Sequence, residues 1–258
     1  MLAKERRSRI AELLKTNGSV ETAQLAERFC VSAETIRKDL LALERGGEIT
    51  RTHGGAVVGE SMKPFHGFAS RCLERGEEKR EIARKAMELV SEGDVIGVGE
   101  GSTAVAFAEE LKACFSALTV VTYSLDVFQI LCDHRDFTVI LCGGLYMRSE
   151  RAFCGVQALD TLSSLRVGKA FLFPTAISLD GGLCGYRNEI VEMKRQLIRS
   201  AEQVVVLADS SKLEKHALLK ICALNRDFLY LTDHLVSEEI RNSYQKKGVR
   251  LITAGEMV

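Results

Sequence analysis

The feature that most constrains this chain is a series of short apolar, β-branched runs separated by helical patterns from about residue 75 onward, of which Val204-Val205-Val206-Leu207-Ala208 is the clearest. Successive side chains of a strand point to opposite faces, so a run without polar alternation must be covered on both sides. Runs of this kind at 94–98, 118–123, 137–142, 169–173, 203–208, 228–232 and 249–253 are the strand candidates. Helical patterns such as 104–112 and 189–201 fall between them. Alternating β and α units imply an α/β domain with a mainly parallel sheet.

Residues 1–57 have a different texture, short helical patterns with polar turns. A first helix over 2–16 carries an apolar stripe of Ile10, Leu13 and Leu14, and Asn17-Gly18-Ser19 ends it. Val20 can supply a short strand. A second helix over 22–29 places Leu25 and Phe29 four apart on its inner face, and after the turn Cys30-Val31 comes Ser32, a helix N-cap. In the third helix Ile36, Leu40 and Leu43 recur at helical spacing and must face the other two. At about 100° per residue, Glu34, Lys38 and Arg45 point the opposite way, with Thr35 and Arg37 beside them. A polar, partly basic face at the start of a helix that follows a tight turn is the geometry of a recognition helix entering a major groove. The Ser32 and Thr35 hydroxyls and the helix start can also meet phosphates. The stretch 49–57 then reads as strand, glycine turn (Gly54, Gly55) and strand, a wing carrying Arg51 and His53. A plain three-helix packing or dimerisation domain fits the same periodicity.

Charge narrows the choice little. The chain has 35 Lys and Arg against 35 Asp and Glu, which excludes a polyanion binder working through bulk charge but not one with a local basic face. Residues 1–57 hold ten basic and eight acidic side chains, a net of +2. A length of 258 suits one to two domains, and 46% hydrophobic with 27% charged residues suits a globular chain. The expected organisation is 1–57 as one domain, 58–74 as a linker with Gly59, Pro64 and Gly67, and 75–258 as a second domain. Eight cysteines without a C-x-x-C pair read as reduced core residues. The five histidines lack ligand-like spacing, so neither a metal nor another cofactor is expected. No signal peptide or spanning segment is visible, and the expectation is a soluble, cytoplasmic protein without a membrane partner.

In the second domain, Gly97-Val98-Gly99-Glu100-Gly101-Ser102-Thr103 lies where a strand ends and a helix begins. Backbone N–H groups there, with the Ser102 and Thr103 hydroxyls, favour an anion at Gly101–Thr103, although an unliganded βα turn reads the same way. Gly99-x-Gly101-x-x-Ala104 also fits a dinucleotide fingerprint, but the acidic residue that fingerprint wants at the end of the next strand is missing. In a parallel sheet the strand C-termini share one edge, so further loops converge: Tyr123-Ser124, Cys142-Gly143-Gly144, 175–185, and Asp209-Ser210-Ser211-Lys212. Lys212 can meet a phosphate or a sugar hydroxyl, with Asp209 orienting it.

The motif Arg6-x3-Ile10-x3-Leu14, followed by Ser32-x2-Thr35-Ile36-Arg37-Lys38-Asp39-Leu40 and by Arg51-x-His53-Gly54-Gly55-Ala56, resembles the signature of the DeoR family of bacterial transcription regulators. The Gly101-Ser102-Thr103 loop, Gly143-Gly144, Lys194-Arg195 and Asp209-x-Ser211-Lys212 follow in the order of that family's effector domain. The resemblance implies a winged helix-turn-helix, with the helix-turn-helix at about 20–39 and Asp39 structural, paired with a neighbouring cation. It implies a C-terminal domain like ribose-5-phosphate isomerase and double-stranded operator DNA as a partner. It also implies a phosphorylated sugar or related anionic effector, a homodimer or homotetramer, and repression relieved by ligand. The chain departs from the family where Asp is common (Gly99), where Asn is usual (Tyr123), at a family glycine (Ala176) and at an acidic position four before Lys194 (Ile190), so the sugar-contacting rim is altered. The competing reading is a sugar-phosphate isomerase with an accessory helical domain. Its general acid and base would come from Asp180, Glu189, Glu192 and Asp209, which form no convincing pair, so no enzyme is expected.

Overall fold

The computed structural model of the protein describes residues 3–17, 19–45, 49–51, 54–58 and 68–255. The chain divides into two compact units, Met1–His66 and Gly67–Val258.

The first unit contains α1 (Ala3–Asn17), β1 (Ser19–Glu21), α2 (Thr22–Phe29), α3 (Ala33–Arg45), β2 (Ile49–Arg51) and β3 (Gly55–Val58). The strands form an antiparallel sheet in the order β1-β3-β2, so the β2–β3 hairpin is a wing beside three helices. Its core is Ile10, Leu14, Val20, Leu25, Ile36, Leu40, Leu43 and Ala56, the stripes expected from helical spacing. Burial of each Ile or Leu stabilises the unit by about 1.5–3 kcal/mol. Helix α2 stops at Cys30, whose φ of 50° is left-handed, with the Val31 N–H returning to the Ala26 carbonyl (3.0 Å). Gly55 admits no side chain, because a Cβ there would lie 1.9 Å from the Val20 carbonyl oxygen across the β1–β3 pair.

The second unit contains, in chain order, α4 (Phe68–Leu73), α5 (Gly76–Ala86), β4 (Val95–Val98), α6 (Ser102–Cys114), β5 (Thr119–Thr122), α7 (Leu125–Leu131), β6 (Thr138–Leu141), β7 (Leu145–Met147), β8 (Ala152–Cys154), α8 (Val156–Ser163), β9 (Val167–Leu172), β10 (Ala176–Ser178), β11 (Gly182–Gly185), α9 (Asn188–Arg199), β12 (Ala201–Leu207), β13 (Leu219–Cys222), β14 (Leu229–Thr232), α10 (Glu238–Lys246) and β15 (Arg250–Thr253). The seven expected strands form one parallel sheet in the order β15-β14-β12-β9-β4-β5-β6. Its two faces carry separate cores. Val204 and Val206 join one with Leu172, Met193 and Leu197, while Val205 and Leu207 join the other with Ile82, Phe107 and Leu111. This two-sided burial is why the β12 run shows no polar alternation.

Strand order reverses between β4 and β9, the topological switch point of the sheet, where ligands of open α/β folds usually bind. Two expectations are corrected here. The span 58–74 is not all linker: Val58 ends β3 and Phe68–Leu73 forms α4, a helix too short to show a period and held by tertiary contacts. The expected 175–185 loop is the β10–β11 hairpin, paired on to β13 as a small antiparallel sheet. Among the described residues no helix is long and apolar enough to cross a membrane, and no cluster of three metal-ligating side chains occurs. All eight cysteines are free thiols.

Candidate functional site

On α3, Ser32 caps the helix: its Oγ accepts from the Thr35 N–H (3.2 Å) and shares a hydrogen bond with the Thr35 hydroxyl (2.9 Å). Both hydroxyls are therefore engaged in forming the helix start. Glu34, Arg37 and Lys38 are exposed on the side away from the buried Ile36 and Leu40. Arg37 Nη1 pairs with Glu34 Oε2 at 3.1 Å, and Lys38 has no ion-pair partner among the described residues. The back of the helix is fixed by Asp39, 2% exposed, whose two carboxylate oxygens take Arg6 Nε (2.5 Å) and Arg7 Nε (3.0 Å) from α1. In the wing, Gly54 is exposed and Gly55 buried; the Arg51 side chain and His53 lie outside the described residues.

In the second unit the sequence-derived residues divide into two groups. Gly101 caps α6 with φ 142° and ψ 165°, a conformation closed to residues with a Cβ, and this sharp turn sets Ser102, half-buried, and Thr103, buried, at the helix start. Beside Gly99 and Gly101 the packing is close. A Cβ on Gly101 would lie 3.2 Å from the Phe173 Cβ, and one on Gly99 would lie 3.2 Å from the Tyr123 Oη. Tyr123, expected to face an effector, is fully buried, and burial, then the Glu100 carboxylate, pushes its phenol well above the ordinary value. Ser124 is also buried; its Oγ accepts from the Val127 N–H (3.3 Å) to cap α7. Lys194 is committed too, pairing with Glu100 Oε1 (2.9 Å) and donating to the Phe173 carbonyl (2.6 Å). Arg195 donates to the Ile221 carbonyl (3.0 Å), tying α9 to β13. Gly143 and Gly144 lead into β7, where Gly144 lies so close to the Cys154 carbonyl that a Cβ would meet it at 2.6 Å.

Open space lies one strand further along, beyond β12. A cavity of about 220 Å³ is lined by Arg71, Glu74, Arg75, Lys79, Asp209, Ser211 and Lys212. Four cations face two carboxylates there. Asp209, 1% exposed, accepts from the N–H (3.1 Å) and the hydroxyl of Ser211, and Asp233 Oδ2 accepts from the Ser210 N–H (2.6 Å), so the 209–212 loop is held at both ends. Arg75 reaches the same loop, donating to Ser210 Oγ (3.4 Å) with its Nε 3.9 Å from Asp209 Oδ1. Arg71 pairs with the buried Glu150 (2.7 Å). Lys79 is 4% exposed and donates to the Arg71 and Glu74 carbonyls. Burial pulls its ammonium below the ordinary value and the Lys212 charge adds to this, while Asp209 acts against it. The Lys212 ammonium has no hydrogen-bond or ion-pair partner among the described residues. Sequence reasoning found Asp209 and Lys212 but missed Arg71, Arg75 and Lys79, which lie more than a hundred residues earlier. A signal was present: Lys79 falls in line with Ile82, Ala83 and Ala86, so a lysine occupies the inward stripe of α5.

Residues 6–62 match the model of the DeoR-like helix-turn-helix domain, and residues 74–234 match that of the DeoR C terminal sensor domain. The chain belongs to the DeoR family of transcriptional regulators. Similar members include the HTH-type transcriptional repressor GlcR of Bacillus subtilis (strain 168), 31% identical over 98% of this chain and 96% of that one. The lactose phosphotransferase system repressor of Lactococcus lactis subsp. lactis is 32% identical over 93% of this chain and 94% of its own. The glycerol-3-phosphate regulon repressor of Escherichia coli (strain K12) is 33% identical over 92% and 98%. A solved ribose 5-phosphate isomerase A from Methanocaldococcus jannaschii aligns over 54% of this chain and 55% of that chain at 21% identity, with a TM-score of 0.41, too slight a likeness to bear on activity. In this DeoR-family chain the helix-turn-helix spans α2, the turn at Cys30-Val31 and α3, and every lining residue of the cationic cavity except Arg71 falls within the sensor domain's match.

Proposed function

We propose that the protein is a repressor of a carbohydrate-metabolism operon whose hold on operator DNA is set by a phosphorylated sugar or similar anionic metabolite bound in the cavity beyond β12. The observation that carries this reading is the cavity's own chemistry: Arg71, Arg75, Lys79 and Lys212 line about 220 Å³ together with Glu74 and Asp209, and Lys212 has no ion-pair partner among the described residues. That volume is smaller than the ~300–1,000 Å³ of pockets that engulf a drug-sized ligand. It suits an anionic head group with the attached chain reaching outward. Lys212 supplies an unpaired point charge and Asp209 accepts a sugar hydroxyl. Relatives named as repressors of lactose phosphotransferase and glycerol-3-phosphate systems support the sugar-phosphate class.

On the DNA side, Arg37 and Lys38 with Glu34 and Thr35 read base edges, and Ser32 with the wing residues Arg51, His53, Gly54 and Gly55 lies along the backbone. A homodimer or homotetramer would match operator half-sites. The protein works in the cytoplasm and has no enzymatic activity. Two of the four carboxylates that could serve an isomerase are already engaged: Glu192 with Arg195 (2.5 Å) and Asp180 with the Gly181 N–H (2.8 Å). Hydrogen bonding to Ser178 and to backbone holds the Asp180 carboxyl below its ordinary range, which makes it a weak base.

The test is calorimetry of the full chain against a panel of sugar phosphates and the parent sugars. At least one phosphate ester should bind, its parent sugar should not, and Lys212→Ala should lower the affinity about tenfold or more, the scale of one charge-assisted hydrogen bond. A panel in which no phosphate ester binds would remove the sensor reading.

A further inference from the structure

We propose that Lys79 couples the anion site to α4: an anion entering the cavity takes the ammonium hydrogen bonds that now go to the Arg71 and Glu74 carbonyls, and thereby loosens the C-terminal end of that helix. The proposal rests on the reading of the cavity as an anion site and adds how occupancy leaves it.

The last carbonyls of a helix have no partner within it. In α4, six residues long, the Arg71 carbonyl and the Glu74 carbonyl just beyond the helix both accept from one side chain, Lys79 Nζ on α5. A helix of that length has little stability of its own, so its external ties decide whether it persists. The ties at its end include this ammonium, the Arg71–Glu150 pair (2.7 Å), the Ser70 hydroxyl to Glu74 Oε1 (3.1 Å), the Arg71 guanidinium over the Phe68 ring (5.6 Å) and the Glu74 N–H to the Ser70 carbonyl (3.1 Å).

The turn that follows is also poised. Arg75 has φ 52°, a left-handed conformation uncommon for a residue with a side chain. It is surrounded by Glu78 (3.4 Å), Ser210 Oγ (3.4 Å) and Asp209 (3.9 Å), so the backbone between α4 and α5 rests on the loop that bears Lys212. Lys79, Arg75 and Lys212 therefore face one space while Lys79 also holds α4. A phosphate oxygen accepts a hydrogen bond from an ammonium more strongly than a neutral carbonyl does. Two of the three ammonium N–H bonds go to the Arg71 and Glu74 carbonyls, so an anion that engages the third and draws Nζ toward Arg75 and Lys212 pulls the ammonium off both carbonyls. Helix α4 is the first helix after the winged unit in the chain.

The experiment is residue-resolved hydrogen exchange on the full chain, with and without saturating inorganic phosphate and, separately, a sugar phosphate found to bind. In wild type, ligand should speed exchange of the amides from Ser70 to Arg75 about tenfold, the scale of losing one charge-assisted hydrogen bond. The Lys79→Met variant should exchange at the fast rate in that segment without ligand and show no further change at concentrations that saturate it by its own titration. Lys79→Arg should retain part of the ligand response. Wild-type exchange at 70–75 that is unchanged or slowed while calorimetry shows phosphate bound overturns the coupling and leaves the anion site standing. Failure of both phosphate and the sugar phosphates to bind overturns the anion site itself, and the coupling with it. The wild-type arm decides the matter even if Lys79→Met does not fold.

Discussion

Asp39 is 2% exposed with a guanidinium on each carboxylate oxygen, and removing it leaves the Arg6 charge, itself 7% exposed, without a counter-ion. Breaking a buried pair from one side costs about 3–5 kcal/mol. Asp39→Ala should therefore shift the denaturant midpoint of the winged unit sharply downward while the transition of the 67–258 unit stays in place; a winged unit as stable as wild type would contradict the structural role given to Asp39. That role was legible in the sequence, because at helical spacing Asp39 borders the stripe of Ile36, Leu40 and Leu43 while Lys38 faces away from it. The burial of Tyr123 was not. Its ring fills space beside Gly99, and only the folded chain shows that a residue with no Cβ and a bulky neighbour share one volume. Lys79 was hidden for a related reason: in a helix with as many charges as α5, a lysine on the inner stripe gives a weak signal until the 209–212 loop that shares its cavity, far away in the chain, is known.

Among the elements, the parallel strands were readable because the sheet carries a core on each face, so runs such as that of β12 show no polar alternation. The three-residue strands β7, β8 and β10 were not, since three residues are too few to show a period of two, and neither was the six-residue α4. Helix α5 illustrates how elements are tied together by groups that titrate. Glu81 on α5 meets His234, just beyond β14, at 2.7 Å, and this hydrogen bond, followed by the Glu81 charge, raises the His234 pKa above 6.5. A raised folded pKa means that the folded state holds the proton more tightly than the unfolded one. The stabilisation is therefore complete below pH 6.5 and is lost as pH rises through the folded value. An NMR titration should place the His234 midpoint above 6.5 and return it toward 6.5 in Glu81→Gln. A midpoint at or below 6.5 in wild type would mean that the pair does not form in solution.

At the scale of the whole molecule, two units with separate cores divide the work: one presents the exposed side of α3, the other encloses a cationic cavity, and α4 is the first helix of the second. Coupling between two such sites typically amounts to about 1–3 kcal/mol, roughly a 5- to 150-fold change in affinity. The most direct measurement is operator binding by the full chain, followed by fluorescence anisotropy on the DNA flanking its own gene, with and without the sugar phosphate that calorimetry identifies. Wild type should bind one DNA segment specifically and lose affinity by a factor in that range when ligand is added. Lys38→Ala should bind about 5- to 150-fold more weakly at the outset, the effect of losing one base or phosphate contact of about 1–3 kcal/mol. Lys212→Ala should bind DNA as wild type does but need about tenfold or more ligand for the same response. Equal operator affinity in wild type and Lys38→Ala, or a wild-type affinity that saturating ligand leaves unchanged, would contradict the account.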